Sequence, residues 1–288
     1  MSIAPTVAQP QSRDLSPDVA AEQTRVKQAA VARRARHRLF VIGIRAVSLA
    51  VVLAAWQIGG QRIDSVLFTT PSAVAAAAVQ MVASGELWSY LWPSLVVLVV
   101  GLAISAAAGI AVGLLLARFW VLDVALDIYI TFLYSTPTVA LVPLIVLWVG
   151  FEFTAKVVIL FLFAFFPLVI NTYQGVKHVD PRLLEVGRAF RCSERQLWSN
   201  IVLPAALPFI VTGLRLAVGR GLIGMVLADL YTAISGIGYL IVRSASTYRV
   251  DKMFVPIVVL GLLGITLTAL LRAAERWVAP WTAARDGD

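Results

Sequence analysis

Three charged residues stand inside one apolar run of this chain. Arg215, Arg220 and Asp229 fall between Leu207 and Leu230, a stretch dominated by aliphatic residues and glycine. Ionisable groups in such runs are rare and mark substrate paths or internal pairings. An arginine at the centre of a membrane span costs about 3 kcal/mol on insertion scales, so it needs an anionic or polar partner. Two chemistries are open. Either Arg220 helps a small anion along a pathway, or it pairs with a carboxylate such as Asp127 or Asp229. On the second reading Arg215 snorkels toward the nearer interface.

Bond-making chemistry finds little support. An intramembrane enzyme needs a Ser/His, paired-Asp or His/Glu metal constellation. His37 and His178 lie far apart, and Cys192 is the single cysteine, so there is no intrachain disulfide. Asp123 and Asp127 are one helical turn apart but fall at a membrane boundary. No G-x-x-x-x-G-K-[ST] occurs, and no glycine is followed by lysine, so the chain has no P-loop for ATP. We expect no catalytic residue, bound cofactor or metal on this chain.

The elements that position the charges are membrane helices. Of 288 residues, 60% are hydrophobic and 14% charged, against about 25% charged in a soluble domain. Runs of about 20 apolar residues match the bilayer core. Net charge is +8, which in a membrane protein reflects basic residues on cytoplasmic loops rather than nucleic-acid binding.

Residues 1–38 read as a disordered, basic cytoplasmic tail ending in "RRARHR". The first span follows at Leu39–Ile58, with its N-terminus inside and Arg45 near the inner end. Thr70 and Pro71 open a short surface helix that Gly85 can terminate. The second span, about Pro93–Ala117, repeats Gly101, Ser105, Gly109 and Gly113 at four-residue intervals. That stripe admits a close helix neighbour or lines the bundle interior. The third, near Ile128–Gly150, contains Pro137 and Pro143, which predict a kinked or broken helix. The break serves either packing or a pathway lined by its freed backbone groups. Further spans fall at about Ala155–Thr172, Leu207–Leu230 and Met253–Leu271. A short helix or re-entrant hairpin occupies 231–252, and 277–288 form a second tail. With both termini inside, 16 basic residues lie on the inner side and five on the outer, which supports this orientation.

The 173–204 segment is polar between two spans and is therefore cytoplasmic. Asp180-Pro181 opens a helix, with an acidic N-cap and proline at the first position. Ser193 and Gln196 form a capping box that opens a second, with Leu197, Trp198 and Ile201 as its apolar face and Leu203-Pro204 as its end. The turn between them falls at Arg191-Cys192. Each helix is too short to stand alone, so the pair must dock on its own bundle, the membrane surface, a partner protein or, least compatibly with its tether, DNA. Phe190 and Trp198, flanked by Arg188 and Arg195, have the composition of a protein-binding hot spot.

This segment resembles the EAA loop of ABC importer permeases, E-A-A-x-x-x-G, nine residues, then I-x-L-P. Glu185 matches the acid, and Ile201, Leu203 and Pro204 match the end at the right spacing. Val186 and Gly187 stand where two alanines are usual, and Arg191 where the glycine is usual. An arginine takes a positive-φ turn only at a cost. The likeness extends through "TPTVALVPLIVLWVG", "FFPLVINTYQGVKHVDPRLLEV", "LPAALPFIVTGLRLAVGRG" and "GIGYLI", over about residues 66–278, and is similar to the nitrate, sulfonate and taurine branch.

The resemblance implies an all-α, polytopic bundle of about six spans, over 39–276, in the bacterial cytoplasmic (inner) membrane. It implies a permease homodimer, two copies of a separate ATP-binding subunit carrying ATP and Mg²⁺, and an extracytoplasmic substrate-binding protein. Docking into the ATP-binding subunit falls to Glu185, Gly187, Arg188, Phe190, Arg191, Leu197, Trp198, Ile201, Leu203 and Pro204. Arg220, Arg215, Asp229 and Pro137 are the translocation-path candidates. The alternative is a self-contained, ion-coupled secondary carrier. A carrier favours paired broken helices in repeated halves, and only one broken span is legible here.

Overall fold

The computed structural model describes residues 17–278, and every regular element among them is helical. The chain divides into two units, 1–59 and 60–288. The first is built on α1 (Pro17–Gly60), whose apolar part is Leu39–Gly60. The expected disordered tail is corrected over 17–38, which is helical. Between Pro17 and Arg38 the chain has no other proline and no glycine, and it is rich in Ala and Arg, both strong helix formers. Residues 1–16, and the tail beyond 278, lie outside the described residues.

The second unit contains α2 (Pro71–Ala83), α3 (Glu86–Arg118), α4 (Trp120–Ser135), α5 (Thr138–Val149) and α6 (Phe153–Lys177). These are followed by α7 (Pro181–Ala189), α8 (Glu194–Leu197), a π-helical turn (Trp198–Val202), α9 (Leu203–Thr232), α10 (Ile237–Ser246) and α11 (Val250–Val278). Among the described residues five helices are long and apolar enough to span a membrane, and α4 with α5 makes a bent sixth.

Helices α3, α6 and α9 form the centre. Val97, Leu98, Leu160, Ala164, Leu168, Ala217 and Met225 are buried together there. The glycine stripe of α3 is a packing surface, because α6 lies directly on it. A Cβ at Gly109 would come within 2.7 Å of the Leu168 Cβ, and one at Gly113 within 2.6 Å of the Thr172 Cβ. Lipid tails are as apolar as the side chains, so close van der Waals contact of this kind is what holds membrane helices together.

Two prolines act differently. Pro137 separates α4 from α5, which meet at 96°, and Thr136 before it is extended (ψ 133), as a residue preceding proline must be. Pro143 stays inside α5 without breaking it. The second loop helix also differs from expectation. It does not end at Leu203-Pro204 but continues through the π turn into α9, giving one 39-residue helix from Glu194 to Thr232. The wider π turn lets the helix carry on past Pro204, which has no N–H to donate.

Candidate functional site

The polar loop is built as its sequence dictates. The Asp180 carboxylate accepts from Arg182 N–H at 2.9 Å and caps α7. Ser193 and Gln196 form the reciprocal capping box of α8. Between them, Arg191 sits at φ 53. Its N–H donates to Arg188 O at 2.9 Å, and Cys192 N–H donates to Gly187 O at 3.0 Å. This pair of bonds is a Schellman turn. The arginine thus adopts the left-handed conformation usually left to glycine, at roughly 1 kcal/mol.

The two loop helices meet at Gly187. A Cβ there would lie 2.5 Å from Leu197 Cδ2 and 2.9 Å from Ile201 Cδ1. Gly187 and Leu197 are buried, so they hold the loop together rather than face outward. Trp198 is half-buried beneath the Arg118 guanidinium, 5.6 Å from the ring centroid. Arg118 also pairs with Glu194 at 3.1 Å. The outward face carries Leu183, Val186 and Phe190, the last 81% exposed. Glu185, Arg188 and Arg191 are exposed on the same loop, Leu203 is partly exposed, and Pro204 is half-buried.

The charges of the bundle have separate fates. Asp229 is fully buried and bonds Lys156 Nζ at 2.7 Å and Ser94 Oγ at 2.6 Å. Lys156 also donates to Ser235 O at 2.5 Å, and Gly238 N–H reaches Asp229 at 3.3 Å. Gly236, at φ 103, runs so close that a Cβ would collide with the carboxylate. Arg215 pairs with Glu275 of α11 at 2.6 Å. Arg220 meets neither Asp127 nor Asp229. It is exposed, stacks over Tyr134 with 5.0 Å to the ring centroid, and donates to the Tyr134 hydroxyl at 3.1 Å.

Tyr134 also lines a cavity of about 230 Å³ with Asp123, Asp127, Thr131, Tyr173 and Gln174. There Asp123 accepts from Lys177 and Tyr173, each at 3.0 Å. No group of three or more metal-ligating side chains occurs among the described residues.

Residues 109–283 match the family of binding-protein-dependent transport system inner membrane components. The chain belongs to this family. It is a multi-pass inner-membrane permease subunit of an ABC importer, and the self-contained carrier reading falls away. Membership implies an ATP-binding subunit and a substrate-binding protein as partners.

This permease is 33% identical over 240 residues to an aliphatic sulfonates transport permease protein of Bacillus subtilis, covering 83% of this chain and 87% of the relative. It is 29% identical over 241 residues to the taurine transport system permease protein of Escherichia coli, covering 81% and 88%. Its fold is similar to a chain of the inward-facing MetNI methionine ABC transporter, with a TM-score of 0.54 and 19% identity. That match covers 67% of this chain and 98% of the other.

Sequence reasoning placed the loop but missed three partners. Lys156 is among the five basic residues that the sequence places on the outer side, although an acid inside a span demands a cation at its own depth. Lys156, near the start of α6, lies at the depth of Asp229, near the end of α9. Tyr134 and Arg118 gave no comparable signal, because neither stacking contact follows from spacing along the chain.

Proposed function

We propose that this permease works as a homodimer that passes a small organic or inorganic anion of the sulfonate, taurine or nitrate class. A binding protein delivers the anion from outside. Two ATP-binding subunits, which carry the ATP and Mg²⁺, dock on the 173–204 loops at the cytoplasmic face. The inward bias of basic residues supports that orientation. The exposed Leu183–Val186–Phe190 stripe supports docking, since a partner surface would cover it.

The observation that carries the anion reading is the state of Arg220. Its guanidinium lies on a membrane-spanning helix, is exposed on the surface of the protomer, and finds a phenol but no carboxylate among the described residues. Such a charge does not rest against lipid. A pathway between two copies gives it water and a passing anion. The names of the sulfonate and taurine relatives agree with this chemistry.

The test is uptake into proteoliposomes holding the complete importer, with an alkanesulfonate, taurine and nitrate as competing substrates. Arg220→Gln is expected to slow uptake about tenfold or more, and Arg220→Lys to retain part of it. Unchanged rate and unchanged anion preference in Arg220→Gln would sink the reading.

A further inference from the structure

We infer that Arg191 strengthens docking by presenting its guanidinium to a carboxylate on the rim of the ATP-binding subunit's docking groove. The inference rests on the docking reading of the loop and adds to it the chemistry of the partner's surface.

Three observations converge. First, Arg191 holds a left-handed backbone (φ 53) in a Schellman turn that glycine would form without strain. Its side chain is exposed and makes no hydrogen bond, ion pair or ring contact within the described residues. The strain therefore has no local return, and strain of this kind gathers where a side chain meets a ligand or partner.

Second, Arg191 is not alone. Arg182, Arg188 and Arg195 are also exposed, and none has an ion pair among the described residues. The loop's acids do not balance them. Asp180 caps α7, Glu194 pairs with Arg118, and Glu185 alone remains. Arg182 and Arg191 stand next in sequence to Leu183 and Phe190, at the two ends of the exposed apolar stripe. The complementary surface is an apolar floor with an acidic rim.

Third, the base of the loop is fixed. Gly187 seats against Leu197 and Ile201, and Arg118 holds Trp198 and Glu194. The turn sets where the Arg191 backbone stands, and the planar guanidinium that reaches out from it suits a bidentate carboxylate. Anionic lipid would attract the same four arginines, but diffuse charge attraction needs no strained turn to aim one of them.

The experiment uses the full-length permease in nanodiscs and the ATP-binding subunit that copurifies with it from native membranes. The dissociation constant is measured from low to high NaCl for wild type, Arg191→Gly, Arg191→Asn and Arg191→Lys. The glycine and asparagine variants tolerate the turn and are expected to bind about tenfold more weakly at low salt. Their deficit should shrink as salt rises. Lysine should recover only part of the loss, because it lacks the planar fork. Arg191→Gly alone should melt no lower than wild type, which separates lost contact from lost folding.

Equal affinity and equal salt dependence in Arg191→Gly overturn the inference. So does a deficit seen only in nanodiscs of anionic lipid and absent in neutral ones, which would assign the residue to headgroups. Phe190→Asp separates the two levels. If it abolishes association while Arg191→Gly does not, only the role of Arg191 fails. If it also binds like wild type, the docking reading fails with it.

Discussion

Lys156 and Asp229 form a 2.7 Å ion pair with almost no contact with solvent, Lys156 at 3% exposure and Asp229 at 0%. The pair joins α6 to α9. Through Ser94, Ser235 and Gly238 it also ties in α3 and the turn that leads to α10. Ser94 carries the link further, since its hydroxyl also accepts from Ile237 N–H at 2.7 Å. Nearly every polar atom of this knot is satisfied inside the protein, which is what a buried charge requires.

Removing one partner should therefore be much worse than removing both. Asp229→Asn or Lys156→Met alone is expected to destabilise the permease by about 3–5 kcal/mol, because a buried charge or donor is left unmatched. The Lys156→Met/Asp229→Leu double variant should recover a substantial part. Thermal unfolding of the purified variants in detergent checks this. Single variants that melt with wild type would show that the pair is dispensable.

The helix contacts predict a contrast between two glycines. Gly113 faces Thr172, and a Cβ there would also lie 2.8 Å from the Val169 carbonyl oxygen. Backbone cannot step aside, so Gly113→Val should force α3 from α6 and lower the yield of folded protein sharply. Gly261 has no atom within 4 Å of the added Cβ. Gly261→Ala should be neutral, or stabilising by about 0.5–1 kcal/mol through helix propensity. Size-exclusion profiles and melting temperatures of the two variants make the comparison.

These particulars show what the sequence could and could not reveal. The capping box at Ser193 and the Asp180 cap are local devices, legible because each needs residues only two or three positions apart. The break at Pro137 was equally local, though the harmless fit of Pro143 was not, since helix context decides whether a proline breaks or bends. The α8–α9 continuity was hidden because a π turn has no sequence signature. The Lys156–Asp229 and Arg220–Tyr134 pairs join residues 73 and 86 positions apart. Only the depth of each residue along its helix could have suggested the first pair, and nothing suggested the second.

Arg118 offers a prediction about coupling without stability. Its ion pair with Glu194 is half-exposed, with side chains 45% and 61% accessible. Water and salt screen such a pair, so Arg118→Ala should cost well under about 1 kcal/mol in unfolding. Yet the same guanidinium covers Trp198, at the start of the π turn that connects the loop to α9. Loosening that joint should weaken the mechanical link between loop and bundle. Arg118→Ala is expected to keep ATP hydrolysis in the reconstituted importer while transport per ATP falls. A fall in melting temperature large enough to account for the lost transport would count against this separation.

The last prediction concerns how Arg220 is aimed. Tyr134 makes two contacts with it, a hydrogen bond from the guanidinium to the hydroxyl and a stacking contact with the ring. Tyr134→Phe removes the first and keeps most of the second, worth about 0.5–2 kcal/mol depending on desolvation. Tyr134→Leu removes both. If the ring sets the position of a guanidinium that meets a passing anion, uptake should fall in the order wild type, Phe, Leu, and Tyr134→Leu should approach Arg220→Gln. Combining Tyr134→Leu with Arg220→Gln should then add little, because both changes act on one group. Additive losses would instead assign Tyr134 an independent role in the cavity that it lines with Asp123 and Asp127. Initial uptake rates of the three single variants and the double variant, measured at saturating binding protein, distinguish the two cases.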